Sequence, residues 1–137
     1  MKRHLSRLLS LVLAVLLSVT ALTGFSSSAT AAGLSGNYKN DTLALVENLR
    51  TAINLPDNAP DKAKFQTAAR QSITEFFSRY RRDPNATKLT SFTTMRTALN
   101  SLAGHYASYP NRSVPQKLKD RLELEFSQVE AAVNRGA

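Results

Sequence analysis

The feature that most constrains the fold is a pair of helical patterns joined by a tight polar turn, between Ser91 and Leu122. Apolar side chains recur in its first half at steps of three and four: Phe92, Met95, Leu99, Leu102 and Tyr106. This spacing places them on one face of an α-helix, which must be buried. Pro110 and Asn111 favour a turn after it. Because a short connection makes consecutive helices antiparallel neighbours, the stretch predicts a helical bundle.

The residues after the turn predict that another helix starts at once. Ser113 offers a side-chain oxygen as N-cap, Pro115 suits a first helical turn, and Gln116 stands three residues after the cap, as a capping box requires. Gly136 is placed to end this helix. Its outer face carries charges of both signs, basic in its first half and acidic in its second.

Two earlier segments also have helical spacing. The first has Asn40 or Asp41 as its expected cap, and the second should be the longest helix, with Pro84 breaking the chain after it. Thr90 or Ser91 should cap the third helix. The predicted helices lie near residues 40–54, 60–82, 91–108 and 114–134. Without strand patterns between them, they predict an all-α, up-down-up-down four-helix bundle over residues 33–137.

The first 32 residues predict a cleavable signal peptide rather than part of the folded domain. Basic residues come first, an almost wholly apolar run at 8–19 follows, and small residues of the kind that a signal peptidase reads come last. We expect cleavage after Ala31 or Ala32. A single membrane anchor is the alternative, although the apolar run is shorter than the roughly 20 residues that a membrane-spanning helix needs.

The sequence is basic and has no cysteine. Removing Lys2, Arg3 and Arg7 with the leader lowers the formal net charge from +8 to +5. Without helix-turn-helix or zinc-finger spacing, this charge favours an acidic protein loop or an anionic membrane surface over nucleic acid as partner. An exported domain without cysteine has no disulfide, so its stability must come from packing.

The sequence lacks the patterns of common catalytic, metal and cofactor sites. No Glu is followed three residues later by His, as a di-iron bundle requires, and His105 is the only His after the leader. A zinc or iron site needs three or four converging groups. There is no nucleophile elbow and no glycine-rich phosphate loop. We therefore expect no catalytic residue, metal or cofactor, and interpret Tyr80, Tyr106 and Tyr109 as packing residues whose hydroxyls reach water.

Four strings carry a resemblance to a known family. They are GNYKNDTLALVENLR from Gly36, SRYRRDP from Ser78, SFTTMRTALNSLAGHYASYPNR from Ser91 and PQKLKDRLELEF from Pro115. Together they closely resemble the Psb-twenty-seven family of small lumenal assembly and repair proteins of photosystem II, across essentially the whole mature domain. The resemblance implies a four-helix bundle without catalysis that binds transiently, in the thylakoid lumen, to immature or damaged photosystem II. The implied partner is the large lumenal loop of an inner chlorophyll-binding antenna subunit, before the manganese cluster and extrinsic subunits are in place.

The leader departs from this resemblance at one position. Residues 22–24 followed by Phe25 have the shape of a bacterial lipobox, whose fourth position is a lipid-carrying Cys in cyanobacterial members. Phe25 has no thiol, so we do not expect a lipid anchor there. Membrane association would then be peripheral and rest on protein contacts.

The predicted partner-binding surface belongs to helices three and four and the turn between them. Its tip and flanks comprise Tyr109, Asn111, Arg112, Arg96, Lys117 and Arg121. An exposed aromatic residue next to an Arg is typical of interface hot spots. Arg81 and Arg82 are a further candidate for binding carboxylates, with stabilisation of the helix macrodipole as the alternative.

A second function remains open at this point. A periplasmic helical bundle that binds a lipid or small ligand between its helices would need an apolar cavity. An assembly factor, expected as a monomer when free, would be packed solid and act through its exterior.

Overall fold

The computed structural model describes residues 33–137, and the helices of this part follow the predicted order. They are α1 (Tyr38–Ile53), α2 (Lys62–Tyr80), α3 (Pro84–Thr87), α4 (Thr90–Ser108) and α5 (Gln116–Asn134). No strand occurs within residues 33–137. The prediction of an all-α bundle is confirmed. The predicted signal peptide, its cleavage site and Phe25 lie outside the described residues.

The core consists of apolar side chains that face inward from all four long helices. The five residues whose spacing predicted a buried face on α4 are each at most 2% exposed. They pack with fully buried partners from the other helices: Val46, Leu49, Phe76, Leu122, Phe126 and Val129. Burying each large apolar side chain contributes about 1.5–3 kcal/mol, so this shared core is what holds the helices together.

Aromatic rings concentrate at one end of the core. The ring of Tyr80 lies 5.1 Å from that of Phe76 and 5.3 Å from that of Tyr38, between centroids. Phe92 stacks on Phe76 at 6.4 Å. These pairs join α1, α2 and α4 at the end where α1 begins, α2 ends and α4 begins.

The N-caps of α1 and α5 differ from the predicted ones, because the side chains of Asp41 and Ser113 bond to other parts of the domain. Asn37, not Asn40 or Asp41, caps α1 by accepting from the Asn40 amide at 3.0 Å. The predicted capping box of α5 is wrong: the helix has Pro115 at its N-cap without a side-chain cap bond, and the Ser113 hydroxyl donates to Asp57 instead. A tertiary partner outcompeted the local one.

The other boundaries show two further differences and one confirmation. Pro84 does not simply break the chain but starts the short helix α3, which the Asp83 side chain caps. Leu89 occupies the N-cap of α4, so neither Thr90 nor Ser91 caps it. Gly136 ends α5 as predicted, at φ 78°, with its amide bonded to the Val133 carbonyl at 3.1 Å.

Two properties of the described helices complete the fold. The second long helix has 19 residues, but α4 and α5 equal it in length. Within residues 33–137, none of the helices has the length and apolar character needed to cross a bilayer.

Candidate partner-binding surface

The turn between α4 and α5 brings three predicted site residues together on the surface. Tyr109 is 52% exposed, and Asn111 and Arg112 beside it are exposed as well. Asn111 has φ 68°, a left-handed conformation that Asn tolerates better than most residues. The Arg112 Cζ atom lies 6.0 Å from the centroid of the Tyr109 ring, and the His105 ring lies 5.5 Å from it. We call Tyr109, Asn111 and Arg112 the turn surface.

The turn surface is held by bonds to α2 and to the loop before it. Gln66 Nε2 donates to the Arg112 carbonyl at 3.2 Å. Lys62 Nζ donates to the Ser113 hydroxyl at 2.6 Å and pairs with Asp57 at 3.0 Å. These anchors, together with the buried side chain of Val114, place the exposed aromatic and cationic groups on a fixed support. Sequence reasoning missed Gln66, Lys62 and Asp57, because no local pattern signals a partner about 50 residues away.

The remaining predicted cations do not all lie near the turn surface. Lys117 and Arg121 are exposed on the first turns of α5, although Arg121 Nε already pairs with Glu125 at 3.0 Å. Arg81 and Arg82 are exposed at the opposite end of the bundle, because α2 runs away from the turn over 19 residues. At 1.5 Å per residue this distance is about 28 Å. Arg96, on the second turn of α4, is nearer to that far end.

The far end contains a buried polar network that sequence analysis did not anticipate. The Asp41 carboxylate, 5% exposed, accepts from the Ser35 amide at 2.7 Å, the Ser35 hydroxyl at 2.6 Å, the Gly36 amide at 3.1 Å and the Tyr80 hydroxyl. Gly36 makes this possible by adopting φ 85°. The interpretation that the Tyr80 hydroxyl reaches water is wrong. We call Ser35, Gly36, Asp41 and Tyr80 the Asp41 network.

The network shifts the pKa values of both its ionisable members. Burial raises the pKa of Asp41, but the donations from Ser35, Tyr80 and Gly36 outweigh burial, so the pKa lies below its ordinary value. Burial and the neighbouring carboxylate raise the pKa of Tyr80. The charged carboxylate and the protonated phenol are therefore the stable pair.

The acidic half of α5 is occupied by an internal contact. Arg50 on α1 reaches Glu130 through Nη1 at 2.5 Å and Glu123 through Nη2 at 2.6 Å. The hydrogen bonds that Arg50 donates to the carboxylates of Glu130 and Glu123 raise the pKa of Arg50. These two carboxylates hold α1 against α5, whereas the cations of the turn surface and of the α2 C-terminus make no ion pair within residues 33–137.

The described part shows little that resembles a catalytic or ligand-binding centre. Residues 33–137 contain no group of three or more His, Cys, Asp or Glu side chains that could hold a metal ion. Two depressions between the helices have volumes of about 50 and 70 Å³, and a third, of about 390 Å³, is an open concavity on the surface of α2 alone, lined by Thr67, Arg70, Gln71, Thr74 and Glu75. A drug-sized ligand needs a cavity of about 300–1,000 Å³. The two depressions between helices are too small for such a ligand, and the larger concavity is open to solvent and bounded by one helix only, so the described part does not favour a lipid or ligand carrier.

Comparison with known proteins assigns the chain to a family. The family described as "Photosystem II Pbs27" matches residues 2–133. The chain is 53% identical to "Photosystem II assembly factor lipoprotein Psb27" of Thermosynechococcus vestitus, over 100% of this chain and 98% of that protein. It is 50% identical to "Photosystem II lipoprotein Psb27" of Synechocystis sp., over 99% and 97% of the two chains.

The fold agrees with this assignment. The structure described as "Solution Structure of Psb27 from cyanobacterial photosystem II" matches at 51% identity and a TM-score of 0.74, covering 83% of this chain and 99% of that chain. The family model, the full-length relatives and the shared bundle all confirm the resemblance that the sequence strings indicated. The chain therefore belongs to the Photosystem II Pbs27 family.

Proposed function

We propose that this protein is a photosystem II assembly and repair factor that acts by binding, without catalysis. Family membership and the name of the Thermosynechococcus relative support the role in assembly. The observation that carries the binding mode is the turn surface, where Tyr109 and Arg112 are exposed and the backbone beside them is held to α2 by Gln66, through the Arg112 carbonyl, and by Lys62, through Ser113. Because the backbone of the turn is already anchored, it loses little conformational freedom on binding.

The partner in this proposal is the large lumenal loop of an inner chlorophyll-binding antenna subunit. Binding is transient and precedes assembly of the manganese cluster and binding of the extrinsic subunits. The charge pattern supports an acidic contact, because Arg112 and the α2 arginines make no ion pair within the described residues, whereas the α5 carboxylates at 123 and 130 are paired with Arg50. Complementary charge mainly speeds association and selects the partner.

The proposed location is the thylakoid lumen, on the surface of the membrane. Both cyanobacterial relatives are named lipoproteins, but this sequence has no cysteine to carry a lipid. Retention at the membrane would therefore rest on contacts with photosystem II. We further propose that the free protein is a monomer.

The test is affinity purification of the tagged protein from photosynthetic membranes, with quantification of the photosystem II subunits recovered. We expect Arg112→Glu to reduce this recovery about tenfold, since it replaces an attractive with a repulsive charge at the tip. Lys39→Glu is the matched control, because it makes the same charge change at an exposed position on α1. Circular dichroism should show unchanged helix content in both variants. Equal recovery with wild type and Arg112→Glu would reject the turn surface, and recovery of no photosystem II subunit with wild type would reject the function.

A further inference from the structure

A small notch lies directly beside the turn surface, between α2 and the end of α4. Its volume is about 70 Å³, and its lining includes Gln66 and Arg70 from α2, Tyr106 from α4, and Asn111 from the turn. One water occupies about 30 Å³ in the liquid, so the notch has room for a group the size of a carboxylate, but not for a ring or a lipid chain.

Tyr106 is the deepest residue of this lining and has an unused hydrogen-bonding group. It is 2% exposed, and its hydroxyl has no hydrogen-bond partner within residues 33–137. Burial raises the pKa of Tyr106 to about 12, so the hydroxyl remains protonated and able to donate at any physiological pH. Most buried side-chain hydroxyls in proteins are paired, because an unpaired one loses its hydration without compensation. The interpretation that this hydroxyl reaches water is therefore wrong as well.

Arg70 gives the notch a positive charge. It is exposed at the rim, it makes no ion pair within the described residues, and no acidic residue lines the notch. A guanidinium group selects carboxylates through charge and paired hydrogen bonds. The notch is also continuous with the turn surface, since Asn111 belongs to both and Gln66 donates to the Arg112 carbonyl.

We propose that the notch receives the side-chain carboxylate of an acidic residue in a protein loop, which pairs with Arg70 and accepts the unused hydrogen bond of Tyr106. This inference rests on the proposed function and specifies the chemical group that is recognised. The hydroxyl lies below the surface, so the carboxylate reaches it only when the exposed lining residues Pro110 and Asn111 shift outward, while the bonds that anchor Arg112 and Ser113 to α2 stay in place. An Asp or Glu inserted here would act as the anchor beside which Tyr109 and Arg112 make their contacts.

The first test is the variant Tyr106→Phe, which removes the hydroxyl and keeps the ring. Because the hydroxyl is unpaired in the free domain, we expect an equal or higher melting temperature, together with about tenfold weaker recovery of photosystem II subunits. A purely structural tyrosine would give the opposite pattern. A lowered melting temperature would show that the hydroxyl is already paired in the free protein, and would overturn the inference.

The second test uses Arg70→Gln, with Lys64→Gln as the matched control on the same helix outside the notch lining. We expect only Arg70→Gln to reduce recovery. If wild type recovers photosystem II and both Tyr106→Phe and Arg70→Gln recover it equally well, the notch is not used, although the assembly role stands.

A third measurement separates the two proposals. Titrating the mature domain with sodium acetate should shift the amide resonances around Arg70 and Tyr106, whereas sodium chloride at equal ionic strength and acetate added to Arg70→Gln should not. These shifts show whether the notch binds a carboxylate, even if wild type recovers no photosystem II subunit. Their absence would overturn the inference.

Discussion

Each end of the bundle contains a buried tyrosine, and the two hydroxyls are used in opposite ways. At the end where α1 begins, the Asp41 carboxylate accepts four hydrogen bonds, and the Tyr80 hydroxyl is used within the domain. At the turn end, the equally buried Tyr106 hydroxyl has no partner within residues 33–137. Two tyrosines of similar burial thus differ in whether a partner lies within reach. The Tyr80 hydroxyl therefore contributes to the internal network, whereas the Tyr106 hydroxyl leaves one buried donor unused within residues 33–137.

The largest expected effect comes from removing the centre of the Asp41 network. Asp41→Ala eliminates hydrogen bonds to a charged acceptor and leaves the buried Tyr80 hydroxyl unpaired, so we expect the free energy of unfolding to fall by about 3 kcal/mol. Urea denaturation followed by circular dichroism measures this. Asp61→Ala is the control, since Asp61 is exposed and makes no side-chain cap bond, and it should change stability by less than about 0.5 kcal/mol. A loss below 1 kcal/mol for Asp41→Ala would remove the contrast between the two ends.

A pH series sharpens the same contrast. The pKa of Asp41 is lower in the folded domain than its ordinary value of 3.8, so the unfolded chain binds the proton first as the pH falls. Its stabilisation is therefore complete above about pH 3.8 and is lost as the pH falls through the folded pKa. We expect the stability difference between wild type and Asp41→Asn to stay constant from pH 7 to pH 5 and to shrink below pH 3.8. A difference that already shrinks between pH 7 and pH 5 would contradict this assignment.

The smallest expected effect concerns the support of the turn surface. Lys62→Met keeps the apolar part of the side chain but removes its bonds to Ser113 and Asp57. We expect a loss of only about 1 kcal/mol, because these are partly exposed contacts. Hydrogen exchange should be faster at the amides of Ser113 and Val114 and unchanged around Asp41. Equal acceleration at both ends would show that the bundle opens as one unit rather than locally.

The long helices were predictable because apolar residues at steps of three and four share one helix face, and that face is the one that becomes buried. Phe92, Met95 and Leu99 had to share a face, and all are buried. Cap residues were less predictable. Ser113 and Asp41 both had the local signature of an N-cap, but each found a partner in another part of the chain. A short polar side chain bonds to whichever donor or acceptor the tertiary fold brings within about 3 Å.

The candidate site was predictable in part. Exposure at Tyr109 and Arg112 follows from their position in a turn, and their proximity follows from their closeness in sequence. The separation between this tip and Arg81 follows from the predicted up-down order, since helix two ends where helix three begins. The bonds from Gln66 and Lys62 to the turn could not be foreseen, because they join residues about 50 positions apart. Whether these residues bind photosystem II remains a prediction.

The amino-acid sequence alone determined the number and order of the long helices, since these depend on the local spacing of apolar residues. It also determined the family of the chain, since this depends on strings of consecutive residues. Only the tertiary structure decided which polar groups are satisfied. Tyr80 meets Asp41 across 39 positions, whereas Tyr106 meets no such partner within residues 33–137. A hydrogen bond requires two groups within about 3 Å, and for groups far apart in the chain that distance exists only after the helices have packed.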